Sequence, residues 1–272
     1  MTQPKLSLCP LTIIRATPRE LVQAAAAGGF DAVGLRLIAP RPGDPVHPLG
    51  RLEDLRRLMA DNGIRLFDIE SCWLSPATDP ATLRPALEAC AALGGRYLLA
   101  AGNDPDWGRT VANFARVAEL AAEYGLAVGL EPTSFCVLKT LAQAADLLRE
   151  AAVANAGIIL DPLHLFRVGE TAASIAALEA RLIAYAQLCD ARPQAPVDQA
   201  GLMAEARGDR LLPGEGTLRL REFLDALPEN LPLAVEAPTQ ELAALSFAAS
   251  ARRAGNATRA LLKMRRPGPS AP

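Results

Sequence analysis

Aromatic residues are scarce in this sequence: seven Phe, three Tyr and two Trp make up 4% of 272 residues. A core of ordinary size must then be built from aliphatic side chains and alanine, as where helices pack on a sheet. Histidine is scarcer still. His47 and His164 stand alone, which excludes centres that need several imidazoles. The five cysteines, Cys9, Cys72, Cys90, Cys136 and Cys189, are odd in number and lack CxxC spacing. Neither a disulfide framework nor a structural zinc site is expected, and free thiols point to a reducing, cytoplasmic setting. No apolar run approaches the roughly 18 residues of a membrane span, and residues 1–11 lack the basic and apolar regions of a signal peptide. Neither sign of charge dominates, with 28 Lys and Arg against 30 Asp and Glu, so bulk charge gives no basis for binding nucleic acid.

What the chain does have is a regular alternation of short β-type runs with helical stretches. A strand at 5–9 precedes Thr17-Pro18-Arg19-Glu20, which opens a helix with Thr17 as N-cap, Pro18 at the first helical position and Glu20 three after the cap. Gly28 and Gly29 end it, a strand follows at 31–37, and a helix at 51–62 stops at Asn62-Gly63. Further strands are expected at 64–71, 96–101, 126–131, 157–161, 183–190 and 232–236. Helices are expected at 79–93, 107–124, 140–152, 171–181, 218–227 and 241–264, with a long connection over 191–216. Eight such repeats with near-continuous apolar strands predict an α/β fold, a parallel (β/α)8 TIM barrel forming a single domain over residues 1–264. A frayed, Pro-rich tail is expected at 265–272. A doubly wound open sheet is the other arrangement, but the Gly-x-Gly-x-x-Gly turn after strand one is missing.

Barrel enzymes carry their sites at the carboxyl ends of the strands. Four strands of the second half end in an acid or amide after an apolar run: Glu131, Asp161, Gln187 and Glu236. One such acid alone is an ordinary helix cap or salt-bridge partner. Three carboxylates converging on one mouth would instead repel one another, at a cost of several kcal/mol. A divalent cation removes that cost, and carboxylate oxygens with one amide oxygen make a hard ligand set.

The segments Gly-Leu-Glu131-Pro, Leu-Asp161-Pro-Leu-His164, Gln187-Leu-Cys-Asp190 and Val-Glu236, with Gly29-Phe-Asp-Ala-Val-Gly entering strand two, resemble the xylose-isomerase-like TIM-barrel superfamily of sugar phosphate isomerases and epimerases. The resemblance runs from the first strand to the last helix. It implies a divalent ion (Mn²⁺, Mg²⁺, Co²⁺ or Zn²⁺) held by Glu131, Asp161, Gln187 and Glu236, with His164 on the substrate side. Two departures stand out. Gln187 occupies a place where most epimerases have histidine, which shifts the preference towards Mg²⁺ or Mn²⁺ and is similar to bacterial 3-dehydroshikimate dehydratases. Arg36 stands where many members carry a glutamate. The endonuclease-IV branch needs a histidine-rich trinuclear zinc site, which two histidines cannot build.

The resemblance implies a metal-dependent isomerase or epimerase of a sugar, sugar phosphate or related hydroxy-ketone, working through an enediolate with Glu131 and Glu236 on opposite faces of the substrate. A metal-dependent lyase of the 3-dehydroshikimate dehydratase type, with His164 as acid, is the alternative. A non-catalytic ligand-binding barrel is a third. Arg36 ends an apolar strand and needs a buried partner, either Glu70 or a substrate anion. Arg167, Arg207 and Arg210 are candidates for binding an anionic group, and Trp73 and Phe135 for an apolar wall. Cys189 is expected to pack rather than react, and His47 to lie on the surface of a Pro-rich loop. The expected partner is a small carbohydrate-like molecule, with a homodimer or larger homo-oligomer also anticipated.

Overall fold

A computed structural model describes residues 6–264; the tail at 265–272 and the first five residues of the expected domain lie outside the described residues. Eight parallel strands close into a barrel in sequence order: β1 (Leu6–Leu8), β2 (Ala32–Arg36), β3 (Arg65–Leu74), β4 (Tyr97–Gly102), β5 (Ala127–Glu131), β6 (Ala156–Leu160), β7 (Ile183–Leu188) and β8 (Leu233–Val235). The ring is sealed where Ser7 of β1 pairs with both Ala32 of β2 and Ala234 of β8. Helices α1 (Pro18–Gly28), α2 (Leu52–Asp61), α3 (Arg84–Ala92), α4 (Trp107–Glu123) and α5 (Leu141–Ala151) follow the first five strands. The second half is more subdivided, with α6 (Pro162–Arg167), α7 (Ala172–Ala176), α8 (Gln199–Gly208), α9 (Leu220–Ala226), α10 (Gln240–Ala243) and α11 (Phe247–Leu262). Among the described residues no helix is long and apolar enough to cross a membrane.

Local chemistry explains the boundaries. Thr17 and Glu20 form the anticipated capping box, and Gly29 ends α1 at a left-handed φ of 70° that glycine adopts without steric cost. The sequence pattern misses several features, the short α6 after β6 among them. The 191–216 connection holds α8, capped by Asp198 through Gly201 N–H; its polar, weakly amphipathic sequence hides it from periodicity. The closing helix is two helices, because Ser246 caps a fresh start at Phe247. The helix expected at 171–181 is regular only over five residues. Strand β3 also runs on to Leu74, so Trp73 sits on the strand rather than after it.

Most of the core lies between strands and helices and is aliphatic, as the composition requires. Inside the barrel, Phe67, Tyr97 and Tyr185 pack ring against ring with centroids 4.9–5.3 Å apart. Three of the chain's few aromatics thus form a floor beneath the mouth. The Tyr185 hydroxyl donates to Asp68 Oδ2 at 2.8 Å. Ring closure on the outside brings α1 against α11, where a Cβ on Gly255 would collide with the Gly28 carbonyl. Gly255→Ala therefore lowers stability by about 1–3 kcal/mol through overpacking, against the gain of roughly 1 kcal/mol that alanine gives an exposed helix. Urea denaturation measures the balance.

Candidate metal centre and active site

The carboxyl ends of β5, β6, β7 and β8 bring Glu131, Asp161, Gln187 and Glu236 together, all buried. Each follows an apolar strand whose inward-facing positions alternate, so one register sets all four. Asp161 also caps α6, accepting from Leu163 N–H at 2.8 Å. The commonplace role of a strand-end acid is thus present alongside the cluster.

The cation that reconciles these acids in the structure is a side chain. Arg210, 2% exposed, donates from Nη1 to Asp161 Oδ2 and from Nη2 to Glu236 Oε2, both at 2.7 Å, while its Nε is held by Ala206 O at 2.8 Å. Sequence reading offered Arg210 to a substrate anion; its guanidinium is instead turned into the acids. The consequences are unequal. Burial pushes Asp161 up, but the Arg210 charge, with His164 and the hydrogen bonds from Arg210 and Leu163 N–H, together hold it below the ordinary carboxylate range. Burial pushes Glu236 up to about 8 despite Arg210. Burial, then the charges of Glu236 and Asp161, push Glu131 well above its usual value. Three carboxylates against one guanidinium leave two negative charges when all are ionised, the complement of a divalent ion.

Gln187 carries the test of fit. With its amide nitrogen turned towards the acids it donates to Glu131 Oε1 at 2.6 Å and Asp161 Oδ2 at 3.2 Å. In the opposite sense its oxygen meets two carboxylate oxygens, an arrangement that a cation between them, or the proton of a neutral Glu131, makes favourable. The donor set suits a hard divalent ion. Donor atoms of Glu131, Asp161 and His164 also lie within 4.8 Å of one another, as do those of Cys9, Glu70 and Glu236.

His164 is buried against the edge of Phe135, with ring centroids 5.4 Å apart, and its Nδ1 lies 3.0 Å from Ser134 Oγ. Burial lowers its pKa to about 4, so it stands as neutral imidazole at neutral pH. A small cavity of about 50 Å³ above the centre is lined by Arg36, Glu70, Trp73, Glu131, His164, Arg207, Arg210 and Glu236. Trp73 and Phe135 form its apolar wall, 6.0 Å apart. Arg36 has found Glu70, Nη2 to Oε2 at 3.1 Å, leaving Arg36 Nε and Glu70 Oε1 buried without partners among the described residues. Arg207 reaches the lining but pairs with Asp44 at 2.8 Å. Arg167 is absent from the lining; Glu205 holds it in a two-pronged pair at 2.6 and 2.9 Å. Cys189 is buried beside Arg210 Nη1, consistent with packing.

Four features were not legible in the sequence. Thr133 and Ser134, which touch Glu131 and His164, follow strand five as ordinary loop hydroxyls. Asp44 is separated from Arg207 by more than half the chain. His47, expected at the surface, is buried, because the loop folds back so that His47 N–H donates to Arg36 O and His47 Nδ1 accepts from Arg36 N–H.

Geometry and fold define a (β/α)8 barrel with a polyacidic, amide-containing centre at the carboxyl mouth. Residues 22–261 match the family model described as xylose isomerase-like TIM barrel, and the chain belongs to that family. A 3-dehydroshikimate dehydratase of Pseudomonas aeruginosa is 30% identical over 235 residues, covering 78% of this chain and 34% of that protein. The chain therefore spans about a third of that relative's length. Among solved structures, the IolI protein with a bound zinc atom superposes with a TM-score of 0.79 at 19% identity, covering 95% of this chain and 98% of that one. D-allulose 3-epimerase from Methylomonas sp. in complex with D-allulose superposes at 0.71 and 19% identity, covering 97% of each chain.

Two outcomes are expected. Arg210→Met leaves Asp161 and Glu236 unpaired in the interior and lowers the stability of metal-free protein by about 3–5 kcal/mol; denaturation with added Mn²⁺ then recovers part of the loss. The second concerns His47, whose pKa burial and then Arg36 lower from 6.5 to about 4. Between those pH values the unfolded chain binds a proton that the folded chain refuses, so this residue's contribution to stability falls as pH drops from 6.5 to 4. His47→Gln should flatten the melting temperature against pH in that window relative to wild type.

Proposed function

We propose that this chain is a divalent-metal-dependent lyase that removes water from a cyclic hydroxylated keto acid of the 3-dehydroshikimate kind. The observation carrying this reading is the centre of Glu131, Asp161, Gln187 and Glu236 beneath a wall formed by Trp73 and Phe135. An apolar aromatic wall suits a ring that flattens as it reacts, and the 30% identity to a dehydratase supports the same choice. The ion, Mn²⁺ or Mg²⁺ by the hardness of its ligands, would polarise the substrate carbonyl and so acidify the neighbouring C–H bond.

The chain's own groups do the rest. Glu236 or Glu131 takes the proton next to the carbonyl, the C–H electron pair becomes the new C=C bond, and the β C–O bond breaks. The hydroxide departs as water with the proton that the carboxyl took. His164 supplies a hydrogen bond to the leaving oxygen from Nε2–H, the tautomer that results when Ser134 donates to Nδ1. Arg36, whose Nε is unpartnered, faces the substrate's carboxylate. The setting is the cytoplasm, in keeping with five free buried thiols.

Isomerisation or epimerisation of a hydroxy-ketone is the second reading. It is favoured by two acids at one mouth, Glu131 and Glu236, close enough that the charge of Glu236 raises the pKa of Glu131. Products separate the two. Mn²⁺-loaded protein given 3-dehydroshikimate should produce an aromatic chromophore. With ketoses in D₂O, deuterium uptake at the α-carbon without a chromophore would transfer the assignment to isomerase. Neither result, in a sample that binds Mn²⁺, removes both readings. Glu236→Gln should lower kcat by more than about 10³-fold and weaken Mn²⁺ binding with the fold retained.

A further inference from the structure

We propose that residues 39–46 form a flap that gates the mouth and is latched shut by Asp44 on Arg207. The cavity above the acid centre, about 50 Å³, has room for a few waters, whereas a substrate of sugar size needs several times that volume. The site as it stands is too small for such a substrate, so part of its rim must move. The β2–α2 connection reaches its rim, with Pro40 in the cavity lining.

The physical case rests on how that connection is held. Leu37, Ile38 and Leu49 on either side pack against the core, whereas between 39 and 46 no residue belongs to a helix or strand and none is buried. Apolar burial therefore does little to fasten it, the usual condition of an element that opens at low cost. Its base is tied at both ends: Ile38 N–H donates to Glu70 O, and His47 exchanges two hydrogen bonds with Arg36. Gly43 at φ 86° lies near its tip. The tip is tied only by polar contacts. Asp44 accepts from Arg207 at 2.8 and 3.3 Å and from Arg41 at two 3.2 Å contacts, while Arg41 Nη1 reaches Met203 Sδ at 3.1 Å.

The other side of the latch is firm. Arg207 sits at the end of α8, which the buried Glu205–Arg167 pair and the Gln199 amide on Phe135 O tie to the β6 and β5 sides of the mouth. Arg210, three residues on, is anchored on Asp161 and Glu236. The flap thus moves against a fixed post. Asp44 meets Arg207 as a substrate anion would, so an arriving anionic group can trade places with it and release the tip.

This gate rests on the reading that the cavity is the substrate site, but its test needs no reaction. Trp73 lines the cavity, and Trp107→Phe leaves it as the single tryptophan. Acrylamide, a neutral quencher, then reports how often the mouth is open. Asp44→Asn should raise the quenching constant at least about twofold, and 0.5 M NaCl (roughly the range in which surface ion pairs are screened) should raise it in the parent. Exchanging the charges, Asp44→Arg with Arg207→Asp, should bring it back towards the parent value, while each single change stays high. Equal quenching in all of these proteins, at low and high salt, would overturn the gate whether or not the protein turns over any substrate.

Discussion

Everything at the mouth of this barrel depends on one buried charge. Three carboxylates delivered by β5, β6 and β8 cannot share an interior unless something positive stands among them, and Arg210 does. Its guanidinium has the fork geometry to serve two acids at once, which a lysine could not reproduce. It comes from a loop, not a strand, so the β7–β8 connection is bound to the centre it covers. With all three acids ionised the cluster would still carry two negative charges beside Arg210, a balance that suits a divalent ion.

The surroundings divide the labour by polarity. Below the acids lie an aromatic floor and the Tyr185–Asp68 hydrogen bond, both buried. Above them stand Trp73, Phe135 and His164 on one side and Arg36 with Glu70 elsewhere in the lining. Desolvation by this packing drives the extremes: Glu131 and Glu236 upward, His164 downward. Groups with such divergent proton affinities in one small volume mark a candidate site of acid–base chemistry. The flap over the mouth is the looser part: its ion pair, Arg207 with Asp44, is partly exposed, while those of the centre, Arg210 with Asp161 and Glu236, are buried.

Much of the barrel and its acid centre was legible in the sequence. The strand endings at Glu131, Asp161, Gln187 and Glu236 follow directly from apolar runs that stop at a polar residue, and strand period sends them all inward. The arginines were less legible. Arg36 found the nearer of its two expected partners, Glu70, whereas Arg207 and Arg210 lie close in sequence yet serve different acids, Asp44 on one loop and the centre on the other. His47 reads as a surface residue because Pro-rich loops are mostly exposed; its burial follows from two hydrogen bonds that no local pattern announces.

The sequence by itself determined what periodicity and composition can carry: eight strand–helix units, an aliphatic core with few rings, and acids at the strand ends. These are local properties, repeated every few residues, and the barrel is their arithmetic sum. The tertiary structure alone decided the partners of each charge. Arg210 with Asp161, Arg207 with Asp44 and Arg167 with Glu205 lie 49, 163 and 38 residues apart in sequence. Ion pairing depends on separation in space, and only the closed ring sets that separation.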